Sequence, residues 1–166
     1  MVAIYPGTFD PITKGHINII KRSLNVFNEL IVAVAKNSQK EPLFSAEERL
    51  MMATESLKEE GLKEVKIELF DGLLVDFVKR HNSKIVIRGL RAISDFEFEL
   101  QMAFMNRELD NSIEMMFLMP SIKYSFLSSS IVKNVFLNDG CIKNMVSKIV
   151  AESMREKLKI IKGERK

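Results

Sequence analysis

Five short apolar runs punctuate the chain: Val2–Tyr5, Leu30–Ala35, Val65–Phe70, Ile85–Ile87 and Ile113–Leu118. Each is nearly continuous rather than alternating, as expected of strands covered on both faces of a parallel sheet. Between them the period lengthens to that of a helix. Ile17, Ile20, Leu24 and Phe27 form one stripe, and Ser45-Ala46-Glu47-Glu48 reads as a capping box opening a helix to about Leu57. Leu73–His81 and Asp95–Arg107 continue the helical pattern. After the fifth run, Ser128–Leu137 and roughly Ile142–Ile161 read as helices, broken at Asn138-Asp139-Gly140. Alternating strand and helix implies right-handed crossovers. The expected fold is α/β: a doubly wound, five-stranded parallel sheet in a single domain, residues 1–166, with a C-terminal helical extension from about residue 139.

Ligands of such sheets bind beyond the carboxyl ends of the strands. The chemically distinctive residues all follow expected strand ends. Thr8 and His16 come after the first run, Lys40 after the second and Asp71-Gly72 after the third. Arg88 and Arg91 come after the fourth, and Ser128-Ser129-Ser130 after the fifth. The expectation is that they gather along one rim.

The individual motifs suit anions. Thr13-Lys14-Gly15-His16 lies where a helix begins, and a helix N-terminus offers unpaired N–H groups and a positive dipole end. Its simpler reading is an N-cap beside a polar histidine. In KIVIRGLR, residues 84–91, two arginines flank Gly-Leu, and the planar guanidinium suits phosphate. Pairing with Asp95, Glu97 or Glu99 is the alternative. In SFLSSSIVK, residues 125–133, one serine suffices as an N-cap, leaving two hydroxyls for a polyphosphate or for the surface. Lys40 by itself reads as a solvated loop lysine, and His81 as a helix C-terminal residue.

Charge and composition narrow the classes. The net charge of +3 is uneven: from Cys141 onward eight Lys/Arg stand against three Asp/Glu, so the rest is near −2. No aromatic residues interleave with that basic tail, which reads as a solvated helix face and not a nucleic-acid grip. Cys141 is the single cysteine, excluding a disulfide framework and a cysteine zinc site. The N-terminal apolar run is too short for a signal peptide, and no apolar stretch has membrane-spanning length. The expectation is a soluble cytoplasmic protein without membrane or nucleic-acid partners. No Ser-His-Asp order, His-x-x-x-His pair or metal cluster can be assembled. Cations and helix ends without an obvious base fit phosphoryl-type transfer, where positioning and electrostatics carry the catalysis.

Thr13-x-Gly15-His16 after YPGTFDP resembles the Thr/His-x-Gly-His signature of the nucleotidyltransferase superfamily. IRGLRAISDFEFE and SFLSSSIVK narrow the resemblance to bacterial phosphopantetheine adenylyltransferase, from Val2 to about Phe136. The resemblance implies a Rossmann-like nucleotidyltransferase fold that transfers the adenylyl group of ATP to 4'-phosphopantetheine, with Mg2+. It also implies a cytoplasmic homo-oligomer, a homohexamer.

By the same resemblance, Thr8, Phe9 and His16 meet ATP, His16 stabilising the transition state. Thr8, Lys40, Leu74 and Arg88 hold phosphopantetheine. Gly89, Leu90, Arg91 and Glu99 bind ATP, as do Tyr124, Ser125, Phe126, Leu127, Ser128, Ser129 and Ser130. No protein ligand for the metal is implied. A glycerol-phosphate cytidylyltransferase is a rival acceptor class, but its serine/threonine-rich signature before the last helix is missing. An aminoacyl-tRNA synthetase would be longer and carry a KMSKS segment. A catalytically silent nucleotide-binding regulator would have no reason to keep Lys40 and Arg88.

Overall fold

The structure is a computed structural model that describes residues 1–36, 41–91 and 93–163. Strands β1 (Val2–Gly7), β2 (Glu29–Ala35), β3 (Lys66–Phe70), β4 (Ile85–Gly89) and β5 (Glu114–Leu118) alternate with helices. These are α1 (Lys14–Leu24), α2 (Ala46–Glu59), α3 (Leu74–Arg80) and α4 (Ile93–Leu109), with α5 (Ser129–Leu137) and α6 (Lys148–Gly163) at the C-terminal end. All pairings are parallel, in the order β3-β2-β1-β4-β5. The order reverses between β1 and β4, the switch point of a doubly wound sheet.

Period-2 alternation with both faces buried explains the continuous apolar runs. Ala3, Tyr5, Leu30, Val32 and Val34 face one core, completed by Ile17 and Ile20 of α1, Met52 and Leu57 of α2, and Met154 of α6. Ile4, Ile31, Ala33 and Val86 face the other, against Val75, Phe77 and Val78 of α3. The central strand β1 and its neighbour β2 are accordingly the most continuously buried.

Two strands run further than the pattern predicts. β1 continues through Pro6 and Gly7, which pair with Ala33 and Val34, and β4 continues through Arg88 and Gly89, which pair with Phe117 and Leu118. Arg88 thus stands on the strand, and only Arg91 follows it.

The largest difference is at α6, which begins at Lys148 instead of about Ile142. Residues before it serve α1: the Lys14 N–H donates to the Met145 carbonyl at 2.9 Å. The helix starts where Glu59 of α2 accepts from the N–H groups of Lys148 and Ile149, beside a 2.6 Å hydroxyl pair between Ser56 and Ser147. With Val150 and Met154 fully buried, α6 is built into the main core.

Candidate active site

A cavity of about 610 Å3 opens at the carboxyl ends of β1 and β4, at the switch point. Its floor is the turn after β1. Phe9 adopts φ 49, a left-handed conformation that is strained for a bulky residue. The strain turns its ring back over Gly7, where an added Cβ would lie 2.8 Å from the ring. The ring is 3% exposed and meets Tyr5 and His16 edge-on, with centroids 5.5 and 5.1 Å apart. Phe9 therefore supports the histidine from below.

His16 is held by the start of α1. Thr13 is the N-cap, its hydroxyl accepting from the His16 N–H at 3.3 Å. In return the Thr13 N–H donates to His16 Nδ1 at 3.0 Å, so histidine takes the place usually filled by Glu or Gln in a capping box. A ring nitrogen that accepts a backbone N–H carries no proton, which puts the proton on Nε2. The helix start thus fixes the tautomer and leaves an Nε2–H donor on a cavity-lining side chain. Burial first, then the Arg91 and Arg88 guanidiniums, push the imidazole pKa down to about 3.

A pH dependence follows from that depression. The unfolded chain takes up a proton near the ordinary histidine pKa, about 6.5, while the folded chain resists until about 3. The neutral ring therefore costs no stability above the unfolded value, and stability is lost as pH falls from there toward the folded one. Wild type should lose stability more steeply than His16→Gln between those values in denaturant melts at successive pH. Parallel curves for the two proteins would contradict a neutral imidazole in the folded state.

The opposite wall is the start of α5. Ser128 is its N-cap, accepting from the Ile131 N–H at 3.0 Å, and the Ser129 hydroxyl donates to the Pro11 carbonyl at 2.8 Å. Ser130, which lines the cavity, makes no side-chain hydrogen bond among the described residues. The wall packs on α1 at Gly15, where an added Cβ would make ordinary contacts with the Leu127 carbonyl at 3.5 Å and the Thr13 hydroxyl at 3.4 Å. Arg91 donates to that same Leu127 carbonyl at 3.3 Å.

The third wall is cationic but paired. Arg88 donates to Glu99 through Nε and Nη2 and to the Pro6 carbonyl through Nη1. Burial holds the nearby Tyr5 phenol well above its ordinary pKa against the pull of Arg88 and Arg91, so it stays protonated.

Of the expected site residues, the cavity brings together Thr8, Phe9, His16, Arg88, Gly89 and Arg91, and with them Glu99, Tyr124, Leu127 and Ser128 to Ser130. Leu90, Ser125 and Phe126 do not line it. The Leu90 N–H donates to the Leu118 carbonyl, the Ser125 hydroxyl to the Ile122 carbonyl, and Phe126 faces outward. Leu74 also lies off the wall, packed against the core beneath β1 and β2. Lys40 is outside the described residues.

Three participants escaped the sequence reading. Lys133 lines the cavity and pairs with the buried Asp10 at 2.6 Å. Its signal was available: it lies one helical turn beyond Ser129, on the same face. Asp10 also accepts the N–H groups of Leu43 and Phe44, which holds residues 41–44 to the turn after β1. Arg49 is fully buried and donates to the carbonyls of Thr8, Ala35, Lys36 and Phe44. Its signal was an arginine on the apolar stripe shared by Met52, Ala53, Ser56 and Leu57.

Among the described residues no three His, Cys, Asp or Glu side chains are grouped to hold a metal, and both buried carboxylates at the cavity are engaged with cations. The residues present do not form a metal cage.

Residues 4–135 match the model of the cytidylyltransferase-like family. Phosphopantetheine adenylyltransferase of Thermodesulfovibrio yellowstonii is 53% identical over 157 residues, 94% of this chain and 96% of the relative. That of Dictyoglomus turgidum is 52% identical over 95% of this chain and 98% of the relative. These likenesses run past Phe136, the expected limit, because α6 belongs to the same core. A crystal structure described as a nicotinate-nucleotide adenylyltransferase of Vibrio parahaemolyticus superimposes with a TM-score of 0.65 at 18% identity, covering 91% of this chain and 89% of that one, which is a likeness of fold. With half its residues shared along nearly its whole length, the chain belongs to the phosphopantetheine adenylyltransferase family of cytidylyltransferase-like nucleotidyltransferases.

Proposed function

We propose that this chain transfers the adenylyl group of ATP to 4'-phosphopantetheine, giving dephospho-coenzyme A and pyrophosphate, the penultimate step of coenzyme A biosynthesis. The observation that carries the reading is one cavity at the switch point in which His16 Nε2–H, the start of α5 and two arginines converge, in a chain about half identical to enzymes of that name.

The acceptor is a phosphate monoester, largely dianionic at neutral pH because its second pKa is about 6. It needs no general base, and the groups nearest the histidine are engaged: His16 Nδ1 is taken by Thr13, and Asp10 and Glu99 face cations. An acceptor phosphate oxygen attacks the α-phosphorus of ATP in line. The new P–O bond forms as the bond to the α,β-bridging oxygen breaks, and pyrophosphate departs with that electron pair. The barrier is the meeting of two anions while charge grows on the leaving oxygens, so positive groups and alignment lower it. In this reading Arg88 takes the acceptor phosphate, with Thr8 beside it, and the family resemblance adds Lys40 to the same role. His16 donates to the α,β-phosphate region, and Arg91, Ser130 and the N–H groups opening α5 take the polyphosphate. Mg2+ would supply charge neutralisation on the ATP phosphates, and such an ion commonly keeps phosphate oxygens and water as its ligands. No step needs a protein ligand to it.

The deciding experiment is pyrophosphate release from ATP and Mg2+ with phosphopantetheine, against glycerol phosphate and nicotinamide mononucleotide. Release with phosphopantetheine alone is expected. Release with another acceptor alone would keep the His16 chemistry and overturn the substrate. Absence of release in a protein that still binds ATP would make it a silent regulator.

A homo-oligomer is part of the proposal, with the hexamer following from the family resemblance, in a cytoplasmic setting. Among the described residues no helix is long and apolar enough to cross a membrane. Yet Phe104, Met105 and Leu109 of α4 lie exposed, as do Met116 on the edge strand and Met119 and Ile122 beyond it. Apolar surface on this scale marks an interface. Phe104→Glu is expected to shift the protein to smaller species in light scattering after gel filtration. An unchanged mass would place the interface elsewhere.

A further inference from the structure

Asn18 stands two residues beyond His16 on α1 and does not itself line the cavity. Its side chain reaches instead to the segment that follows β5. The Ser121 N–H donates to Asn18 Oδ1 at 2.8 Å, and the Ser121 hydroxyl donates to the same oxygen at 3.2 Å, across 103 residues of chain. A backbone N–H can only donate, so the amide oxygen is the atom that faces the segment. Nδ2 donates to no other described residue. Ser121 opens the 3-10 turn Ile122–Tyr124 without capping it, its hydroxyl being turned to α1.

From Ser121 the cavity wall is built in short steps. The Tyr124 N–H donates to the Ser121 carbonyl at 2.8 Å and the Leu127 N–H to the Tyr124 carbonyl at 3.0 Å, and Ser128 then caps α5. Pro120, Tyr124 and Leu127 line the cavity. None of residues 119–126 is buried, so polar ties carry much of the placement of this stretch. Its far end is tied at the Leu127 carbonyl, which accepts from Arg91, and at Ser129, which donates to Pro11. Its near end is tied at Asn18.

We infer that Asn18 is a positioning residue for ATP: it fixes the stretch from Pro120 to Leu127 on the helix that carries His16, and so sets the distance between that wall and the Nε2–H donor. The inference rests on the reading that this cavity takes ATP, with Tyr124 to Ser130 along the nucleotide. In-line transfer needs the α-phosphorus held against the donor, and a misplacement of about 1 Å costs on the order of a hundredfold in rate. Histidine and wall come from opposite ends of the chain, and one amide refers both to the same helix.

Asn18→Leu keeps the size of the side chain and removes the acceptor. The measurements are the dissociation constant of α,β-methylene-ATP, the KM values for ATP and phosphopantetheine, turnover and the melting temperature. In Asn18→Leu the analogue should bind about tenfold more weakly and the ATP KM rise with it, while the phosphopantetheine KM stays within about twofold. Asn18→Asp still offers an oxygen to both Ser121 donors, so the analogue's affinity should return to within about threefold of wild type. Ser121→Pro removes both donors from the other side, at a φ of −58° that proline adopts. It should reproduce Asn18→Leu without touching α1, and it decides the matter if Asn18→Leu does not fold. The double variant should add little to either single one, the signature of two groups acting as one.

Equal losses for ATP and phosphopantetheine that track the melting temperature, or no rescue by Asn18→Asp, would reduce the contact to stability and overturn the inference. Undiminished analogue affinity in Asn18→Leu and Ser121→Pro would overturn it as well. The ATP reading fails separately: wild type itself would then not bind the analogue.

Discussion

His16→Ala is expected to lower the turnover number by roughly two to three orders of magnitude, the usual cost of removing one preorganised donor from a developing oxyanion. The fold should survive. The lost capping-box partner costs about 1 kcal/mol, or roughly 2–4 °C in melting temperature for a chain of this size. The two effects separate in His16→Gln. Glutamine at this position can still accept the Thr13 N–H, so stability should return to near the wild-type value. Its amide donor sits on a flexible arm without the Phe9 ring beneath it, so turnover should remain well below wild type. Steady-state kinetics beside thermal melts decide the matter. Near-normal turnover in His16→Ala would remove the histidine from the chemistry, and full recovery in His16→Gln would reduce its role to capping.

The second large effect is expected at a residue that touches no substrate in this reading. Arg49→Met should destabilise the protein by about 3–5 kcal/mol, in the range for stripping one partner from a buried charged network. That corresponds to a fall of roughly 6–20 °C in melting temperature. Four carbonyls lose their donor at once, those of Thr8, Ala35, Lys36 and Phe44. They belong to the turn after β1, the end of β2 and the segment leading into α2. Turnover should fall with stability, because Thr8, Glu41 and Pro42 form part of the cavity wall. Arg49→Lys keeps the charge but has no fork to span the set, and should recover only part of the loss. Urea unfolding at equilibrium measures this directly, and a loss under about 1 kcal/mol in Arg49→Met would show that the network is dispensable.

Both predictions meet in the turn between β1 and α1. The turn is held from below by Arg49, from the side by Asp10 with Lys133, and at its far end by the capping box. His16 is consequently fixed in position, in protonation state and in tautomer before any ligand arrives. Preorganisation of this kind avoids reorganisation at the moment of reaction.

The local devices were legible in the sequence, because each depends on neighbours along the chain. Apolar runs marked all five strands, the 3.6-residue period marked the helices, and Ser45 with Glu48 and Ser128 before α5 cap as their residue types require. From the alternation of strands and helices the rim followed, and Thr8, His16, Arg88 and Ser128 to Ser130 do line one cavity, while Asp71 and Gly72 do not. What tertiary structure decided is which polar groups meet across long separations. Asp10 and Lys133 are 123 residues apart, and Arg49 reaches back 41 residues to Thr8. The pairing of Arg88 with Glu99 depends on how α4 returns over the sheet, and no periodicity specifies that. The start of α6 is set by Glu59 on another helix and not by its own residues. Burial is a property of the assembled layers: only there does an arginine on an apolar stripe become a clamp, and a histidine at a helix start become a neutral donor.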